Sequence, residues 1–128
     1  MIDHTGVAVR DFTASRAFYT QALAPLGYGL LAEFTAAVTG HTDVAGFGEH
    51  GKPGFWISRG TPNQPPVHVA IRAGSRAMVD AFHQAALAAG GRDNGAPGLR
   101  PHYHPHYYGA FVLDPDGHNI EAVCHEAP

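Results

Sequence analysis

The sequence predicts an α+β fold: two βαβββ modules in tandem, forming an open, cup-shaped mixed β-sheet with the helices outside. Three observations predict it. The chain repeats itself at an offset of half its length, each half carries one capped amphipathic helix, and short apolar runs punctuated by glycine and proline follow each helix. The 128 residues then make one domain, with the first module over about residues 1–60 and the second over about 65–128.

The repeat needs no gaps. A slide of 64 positions lays His4 on His68, Val7 on Ile71, and Ala17-Phe18 on Ala81-Phe82. It also lays Ala22-Leu23-Ala24 on Ala86-Leu87-Ala88, Gly27 on Gly91, and Gly46-Phe47 on Ala110-Phe111. Matches that keep one register across strand, helix and cap positions read as a duplicated module.

Each half opens on an apolar strand, Thr5 to Val9 and Val67 to Ile71, where β-branched residues alternate with small ones. Asp11 and Ser75 stand at the N-cap, where a side-chain oxygen accepts a free helix N–H. Helices follow over about Thr13–Ala24 and Arg76–Ala89, with buried stripes expected at Phe18, Ala22 and Leu26 and at Met78, Phe82 and Ala86. Gly27 and Gly91 are expected to close them. Three strands then follow each helix. In the first half they fall near Tyr28–Phe34, Ala36–Phe47 (broken around Gly40) and Gly54–Ser58. In the second they fall near Arg92–Asn94, Tyr107–Leu113 and Asn119–Cys124, and the polar, proline-rich Gly60–Pro66 links the halves. Asp114-Pro115-Asp116-Gly117 is a strong turn, with proline pre-setting the second position and glycine taking the left-handed one.

Composition excludes several functions. The formal charge is −3, and the eight basic residues (all arginine except Lys52) are scattered, so no basic face offers itself to nucleic acid or an acidic membrane. The single cysteine, Cys124, allows no internal disulfide, fits a reducing compartment, and sits in an apolar strand where a thiol is inert. The opening Met-Ile-Asp-His lacks the basic and apolar regions expected of a secretory leader, and no apolar run nears the roughly 20 residues that span a bilayer. The expected setting is cytoplasmic.

Duplication places His4 and His68 at equivalent points of two first strands. Packed as a symmetric pair, those strands would turn both imidazoles toward one point. Alternation along the last strand puts Asn119, Glu121 and Val123 on one face, and a carboxylate among apolar neighbours needs a partner. Two imidazoles and one carboxylate make a facial triad for one divalent metal ion (iron, manganese, nickel, cobalt or zinc) with positions left open for water or substrate. The plainer alternative is that each histidine satisfies a hydrogen bond at a strand end. The matched positions, together with Glu121, favour metal.

The segment Arg100–Tyr108 carries His102, His104 and His106 in alternation. Extended, it would present an edge of imidazoles, suited to a proton shuttle or a second metal site; otherwise it is a semi-rigid loop over the pocket mouth, its path fixed by prolines. The turn at Asp114–Gly117 pairs Phe111 with Glu121, which puts Phe111, Gly109 and Tyr107 on the glutamate's face. Tyr107, by facing, and His104, by titration range, are the candidate catalytic acid or base. Arg59 and Arg72 could anchor an anion, though solvated strand ends are the simpler reading; Trp56, Phe47 and Phe55 fill the core or a pocket wall.

These residues carry a resemblance. Asp-His-Thr-Gly-Val-Ala-Val-Arg-Asp at the start, Arg-Ala-Phe-Tyr in the first helix, Val-His-Val-Ala-Ile from Val67 and Phe-Val-Leu-Asp-Pro-Asp-Gly-His-Asn-Ile-Glu, ending at Glu121, are similar to the vicinal-oxygen-chelate superfamily over nearly the whole chain. That group includes glyoxalase I, bleomycin-resistance proteins, fosfomycin-resistance transferases, methylmalonyl-CoA epimerase and extradiol dioxygenases. The resemblance implies metal ligands at His4, His68 and Glu121. The fourth ligand of glyoxalase I and the epimerase would fall at Ile57, between Trp56 and Ser58, and none of these serves. The catalytic tyrosine of the fosfomycin and extradiol enzymes would fall at Phe111.

Two functions remain open on this reading. One is a metalloenzyme chelating a small oxygenated substrate, as a lyase or isomerase, a ring-cleaving dioxygenase or a thiol transferase. The other is a metal-free, dimeric small-molecule-binding protein of the bleomycin-resistance kind. A homodimer is expected under both, because an open sheet leaves edges and apolar surface to cover.

Overall fold

The computed structural model describes every residue from Met1 to Pro128. Asp11 caps α1 (Phe12–Leu23) by accepting from Ala14 N–H, and Ser75 caps α3 (Arg76–Ala88) by accepting from Met78 N–H. Each helix follows an edge strand, β1 (Thr5–Val9) or β5 (His68–Arg72), and precedes three more strands. In the first module these are β2 (Gly29–Phe34), β3 (Val44–Glu49) and β4 (Lys52–Arg59), with one helical turn, α2 (Ala36–Thr39), after β2. In the second they are β6 (Arg92–Leu99), β7 (Tyr108–Leu113) and β8 (Asn119–Cys124).

The modules form two four-stranded mixed sheets, ordered β1-β4-β3-β2 and β5-β8-β7-β6. In each, the first strand runs parallel to the last and the other pairs are antiparallel. β1 and β5 therefore pair within their own modules and not with each other, contrary to the expected symmetric pair. The helices α1 and α3 pack against one another, and one cluster of 21 buried residues draws from both modules.

Several local departures have physical causes. The segment from Ala36 coils into α2 because the Asp43 carboxylate accepts from Ala36 N–H at 2.8 Å and Gly40 turns left-handed at φ +85°. Strand β3 consequently starts only at Val44. Gly27 closes a 3₁₀ turn, Ala24–Leu26, that extends beyond α1. At the end of α3 the left-handed residue is Gly90, while Gly91 is small because a Cβ there would lie 2.5 Å from Val112 and 2.8 Å from Phe18. The buried stripe of α3 is Val79, Phe82 and Ala86, and Met78 is exposed. Strand β6 runs on past Asn94 because register breaks around Gly95 absorb the glycines that suggested an end.

The turn Asp114–His118 joins the modules. Asp114 Oδ1 accepts from the N–H groups of Asp116 and His118, both at 2.9 Å, and Tyr19 of α1 donates to Asp114 Oδ2 at 2.5 Å. Fully buried His118 accepts from Val67 N–H through Nδ1 at 3.1 Å, which leaves Nε2 to donate to Ala8 O at 3.0 Å. Burial, and then the Asp114 charge, push the Tyr19 phenol well above its ordinary pKa. A raised phenol favours the folded state at full strength below its unfolded pKa of about 10 and loses that contribution as pH rises beyond it. Tyr19→Phe is expected to cost about 1–3 kcal/mol at pH 7, by leaving one oxygen of a buried carboxylate unpaired. Its stability should also fall less steeply above pH 10 than that of the wild type, as urea titrations at pH 7 and pH 11 would measure.

Candidate functional site

β8 carries Glu121 at the centre of the second sheet, opposite Ala70 of β5 and Phe111 of β7. The expected pairing of Phe111 with Glu121 is thus present, with Gly117 left-handed at φ +89° in the connecting turn. Ile120, Ala122 and Cys124 point into the core, and Glu121 points to the opposite face, yet its residue is only 1% exposed. A carboxylate so placed is costly unless hydrogen-bonded. Two side chains meet it. His68 Nε2 lies 2.9 Å from Oε1, and the Tyr107 hydroxyl donates to Oε2 in a short contact.

The surroundings fit that arrangement. Gly109 leaves room for it, since a Cβ there would lie 3.2 Å from Glu121 Oε2 and 3.3 Å from the Tyr107 ring. The His68 ring tilts against Phe111, and the Arg100 guanidinium covers Phe111 from 5.5 Å to its ring centre. The Arg100 side chain is itself held by the carbonyls of Gly98 and Ala96. Burial, followed by the hydrogen bond to Glu121, raises the Tyr107 phenol pKa, so the group remains a protonated donor throughout the neutral range. The His68 side chain is 51% exposed, so the buried carboxylate communicates with solvent through an imidazole.

Within one chain His4 does not join this pair. Its Nδ1 lies 2.6 Å from Asp3, which also pairs with Lys52 at 3.1 Å, and no group of three or more His, Cys, Asp or Glu side chains is arranged to hold a metal. β1 and β5 are edges of different sheets with no strand pairing between them, and His4 and His68 bond different partners, Asp3 and Glu121. His104 also lies apart from Glu121. Its ring bonds His125 at 2.7 Å and meets the Tyr107 ring edge-on. Segment 100–107 is not an extended edge of imidazoles but two tight turns, closed by Tyr103 N–H to Arg100 O and Tyr107 N–H to His104 O. Arg59 pairs with Asp43 at 3.0 Å. Arg72 lies on β5 beyond Ala70 and makes no ion pair, while its carbonyl accepts from Tyr28.

The strand register also revises the equivalence between modules. Ala70 lies opposite Glu121, and its counterpart Gly6 lies opposite Trp56, so Trp56 rather than Ile57 holds the position equivalent to Glu121. Ile57 is fully buried in the core. Trp56 stacks on Phe34 with ring centres 6.4 Å apart, and Gly46 gives it space, since a Cβ there would lie 2.9 Å from the indole. An aromatic platform in the first sheet therefore corresponds to the carboxylate in the second. Sequence reasoning also missed His118, His125 and Asp114. His118 and His125 lack partners at the 64-residue offset and so carried no repeat signal, and Asp114 registered only as a turn residue.

Duplicated βαβββ modules with a histidine on β5 and a glutamate on β8 define a class, and the sequence agrees. Residues 1–122 match the family model for the glyoxalase/bleomycin resistance protein/dioxygenase superfamily, and the chain belongs to that family. Among solved structures it is similar to a glyoxalase/bleomycin resistance protein from Albidiferax ferrireducens, at 27% identity and TM-score 0.72, covering 97% of this chain and 98% of that one. It shares its fold with a genomically encoded fosfomycin resistance protein from Listeria monocytogenes, complexed with Mn(II) and sulfate, at 17% identity and TM-score 0.67, covering 97% and 91%. The same holds for a glyoxalase I mutant from Zea mays, at 22% identity and TM-score 0.69, covering 95% of this chain and 46% of that one. A comparison with curated proteins gave no match. No helix is long and apolar enough to cross a membrane.

Proposed function

We propose that the chain is a divalent-metal-dependent enzyme of the vicinal-oxygen-chelate type, acting on a small oxygenated organic molecule at the open face of the second sheet. The observation that carries this reading is Glu121, buried to 1% yet facing away from the core, with a half-exposed imidazole 2.9 Å from one oxygen. Two ligand bonds of roughly 2.1 Å at a right angle span about 3 Å, so the donor pair already has the spacing of neighbouring metal ligands. An imidazole and a carboxylate suit iron, manganese, nickel, cobalt or zinc.

His68 and Glu121 would hold the ion, with His4 supplied by a second copy in a homodimer. Support for the dimer comes from the edges: β1 and β5 are both edge strands, and Ile2 beside His4 is 77% exposed. An apolar cavity of about 460 Å³ lies within the chain, between Val69–Ile71 of β5 and first-module residues that include Leu23, Phe47 and Phe55. Held by these residues, such an ion would supply Lewis-acid chemistry toward vicinal substrate oxygens, which suits isomerisation, dioxygen ring cleavage or thiol addition. Tyr107 fixes the orientation of the Glu121 carboxylate and supplies an O–H at the site. Phe111 forms an apolar wall that cannot donate a proton.

A second reading is a metal-free dimeric binding protein, favoured by the Trp56–Phe34 stack in the first sheet, which could lie against a planar ligand. Elemental analysis and Mn²⁺ titration separate the two. About one Mn²⁺ per chain, with affinity lowered about 10- to 100-fold in Tyr107→Phe, is expected because loss of an oriented partner weakens a ligating carboxylate by that order. A chain that takes up no Mn²⁺, Fe²⁺, Ni²⁺, Co²⁺ or Zn²⁺ supports the binder instead.

A further inference from the structure

The histidine-rich loop offers a site that the reading above does not use. His104 Nε2 lies 2.7 Å from His125 Nδ1, and the two rings are within 22° of parallel with centres 5.0 Å apart. The loop brings one ring and the residue just after β8 brings the other. Neighbouring bonds fix their protonation. His104 Nδ1 accepts from His106 N–H at 3.1 Å, so its proton sits on Nε2 and is donated to a lone pair on His125 Nδ1. Both rings are therefore neutral, the form in which imidazole ligates metals.

We propose that His104 and His125 form a second, peripheral transition-metal site that takes an imidazole-preferring ion such as Cu²⁺, Ni²⁺ or Zn²⁺. Binding replaces the N–H···N bond: the His104 Nε2 proton leaves to solvent, and both nitrogens turn their lone pairs to the ion. The 2.7 Å separation and the 5.0 Å between ring centres set the two nitrogens head-on, so binding requires both rings to swing until their lone pairs meet at the ion. Water completes the shell, because no third protein ligand converges there. His125 is exposed, so ion and water can reach the pair. The Tyr107 ring packs edge-on against both imidazoles, at 5.5 Å from His104 and 5.3 Å from His125. An ion here pins the loop to the end of β8 and steadies the tyrosine that bonds Glu121.

The test uses Cu²⁺ alone, because two imidazoles favour it over the other divalent ions of the first transition row. Substoichiometric Cu²⁺ added to isotope-labelled chain with both histidines in place should broaden the backbone NMR signals of residues 102–107 and 124–126. His125→Ala and His104→Ala should each abolish that broadening and remove one site, or weaken it at least about tenfold, in calorimetric titration. His125 is exposed beyond the last strand, so its replacement leaves the core untouched. Broadening that is absent with both histidines in place, or that survives unchanged in both variants, overturns the proposal. Both readouts are taken on chains that also carry Glu121→Gln, so that copper held by His68 and Glu121 beside Tyr107 does not contribute.

Discussion

Glu121→Gln is expected to lower Mn²⁺ affinity at least about 100-fold, a loss of about 3 kcal/mol, while leaving the fold in place. Glutamine keeps the shape of the side chain and can still accept from Tyr107, so packing at this buried position changes little. It removes the charge, and a neutral amide oxygen is a poor substitute for carboxylate at a divalent ion. Mn²⁺ is the chosen probe because, as an oxygen-preferring ion, it discriminates against a purely imidazole site. Saturating Mn²⁺ at 100 times its dissociation constant should stabilise the wild type by about 2.7 kcal/mol and the variant by almost nothing. Equal stabilisation of both would remove Glu121 from the site.

The same variant tests where the third ligand comes from. His4→Ala and Glu121→Gln homodimers should each lack a complete triad. If His4 acts across a dimer, unfolding and refolding an equal mixture makes heterodimers in which one of the two sites is whole, restoring about a quarter of the wild-type Mn²⁺ content. A triad within one chain would gain nothing on mixing. Unchanged binding by the His4→Ala protein alone would leave His68 and Glu121 as the only protein ligands.

The two modules were legible in the sequence because duplication repeats the signals that fix each element: Asp11 and Ser75 as caps, paired apolar strands, and the Asp114–Gly117 turn. The turn was the most informative of these, since its geometry alone pairs Phe111 with Glu121 and so puts Tyr107 on the glutamate's face. What the repeat could not reveal is where it slips. The two helices keep the 64-residue offset, but the register of the last strands moves by one, so Trp56 and not Ile57 stands opposite Gly6. Nor could a one-dimensional repeat distinguish first strands that meet inside one chain from first strands that remain edges of separate sheets. The repeat therefore left open whether His4 meets Glu121 of its own chain or of a second copy. The pairing of His104 with His125 joins a loop to a strand end 21 residues away and has no periodicity to announce it.

Phe82→Ala is expected to cost about 3–5 kcal/mol, a large part of the roughly 5–15 kcal/mol that holds a domain folded. Phe82 is fully buried on α3, and α3 packs on the second sheet and on α1 of the first module alike. The cavity would thus open in the one cluster that both modules share. The chain carries a spectroscopic means of testing this, because Trp56, its single tryptophan, lies on β4 of the first module, away from the substitution. If the shared core makes the modules one cooperative unit, Trp56 fluorescence and far-ultraviolet circular dichroism should report the same urea transition, shifted to lower denaturant by the same amount. Buried polar links reinforce that expectation, since His118 joins Ala8 to Val67 and Tyr19 joins α1 to Asp114. A fluorescence midpoint that stays at the wild-type value while the dichroism falls early would mean that the first module stands without the second. In that event the α1–α3 contact is a docking surface between two independent cores, and removing Phe82 should leave the Trp56–Phe34 stack intact.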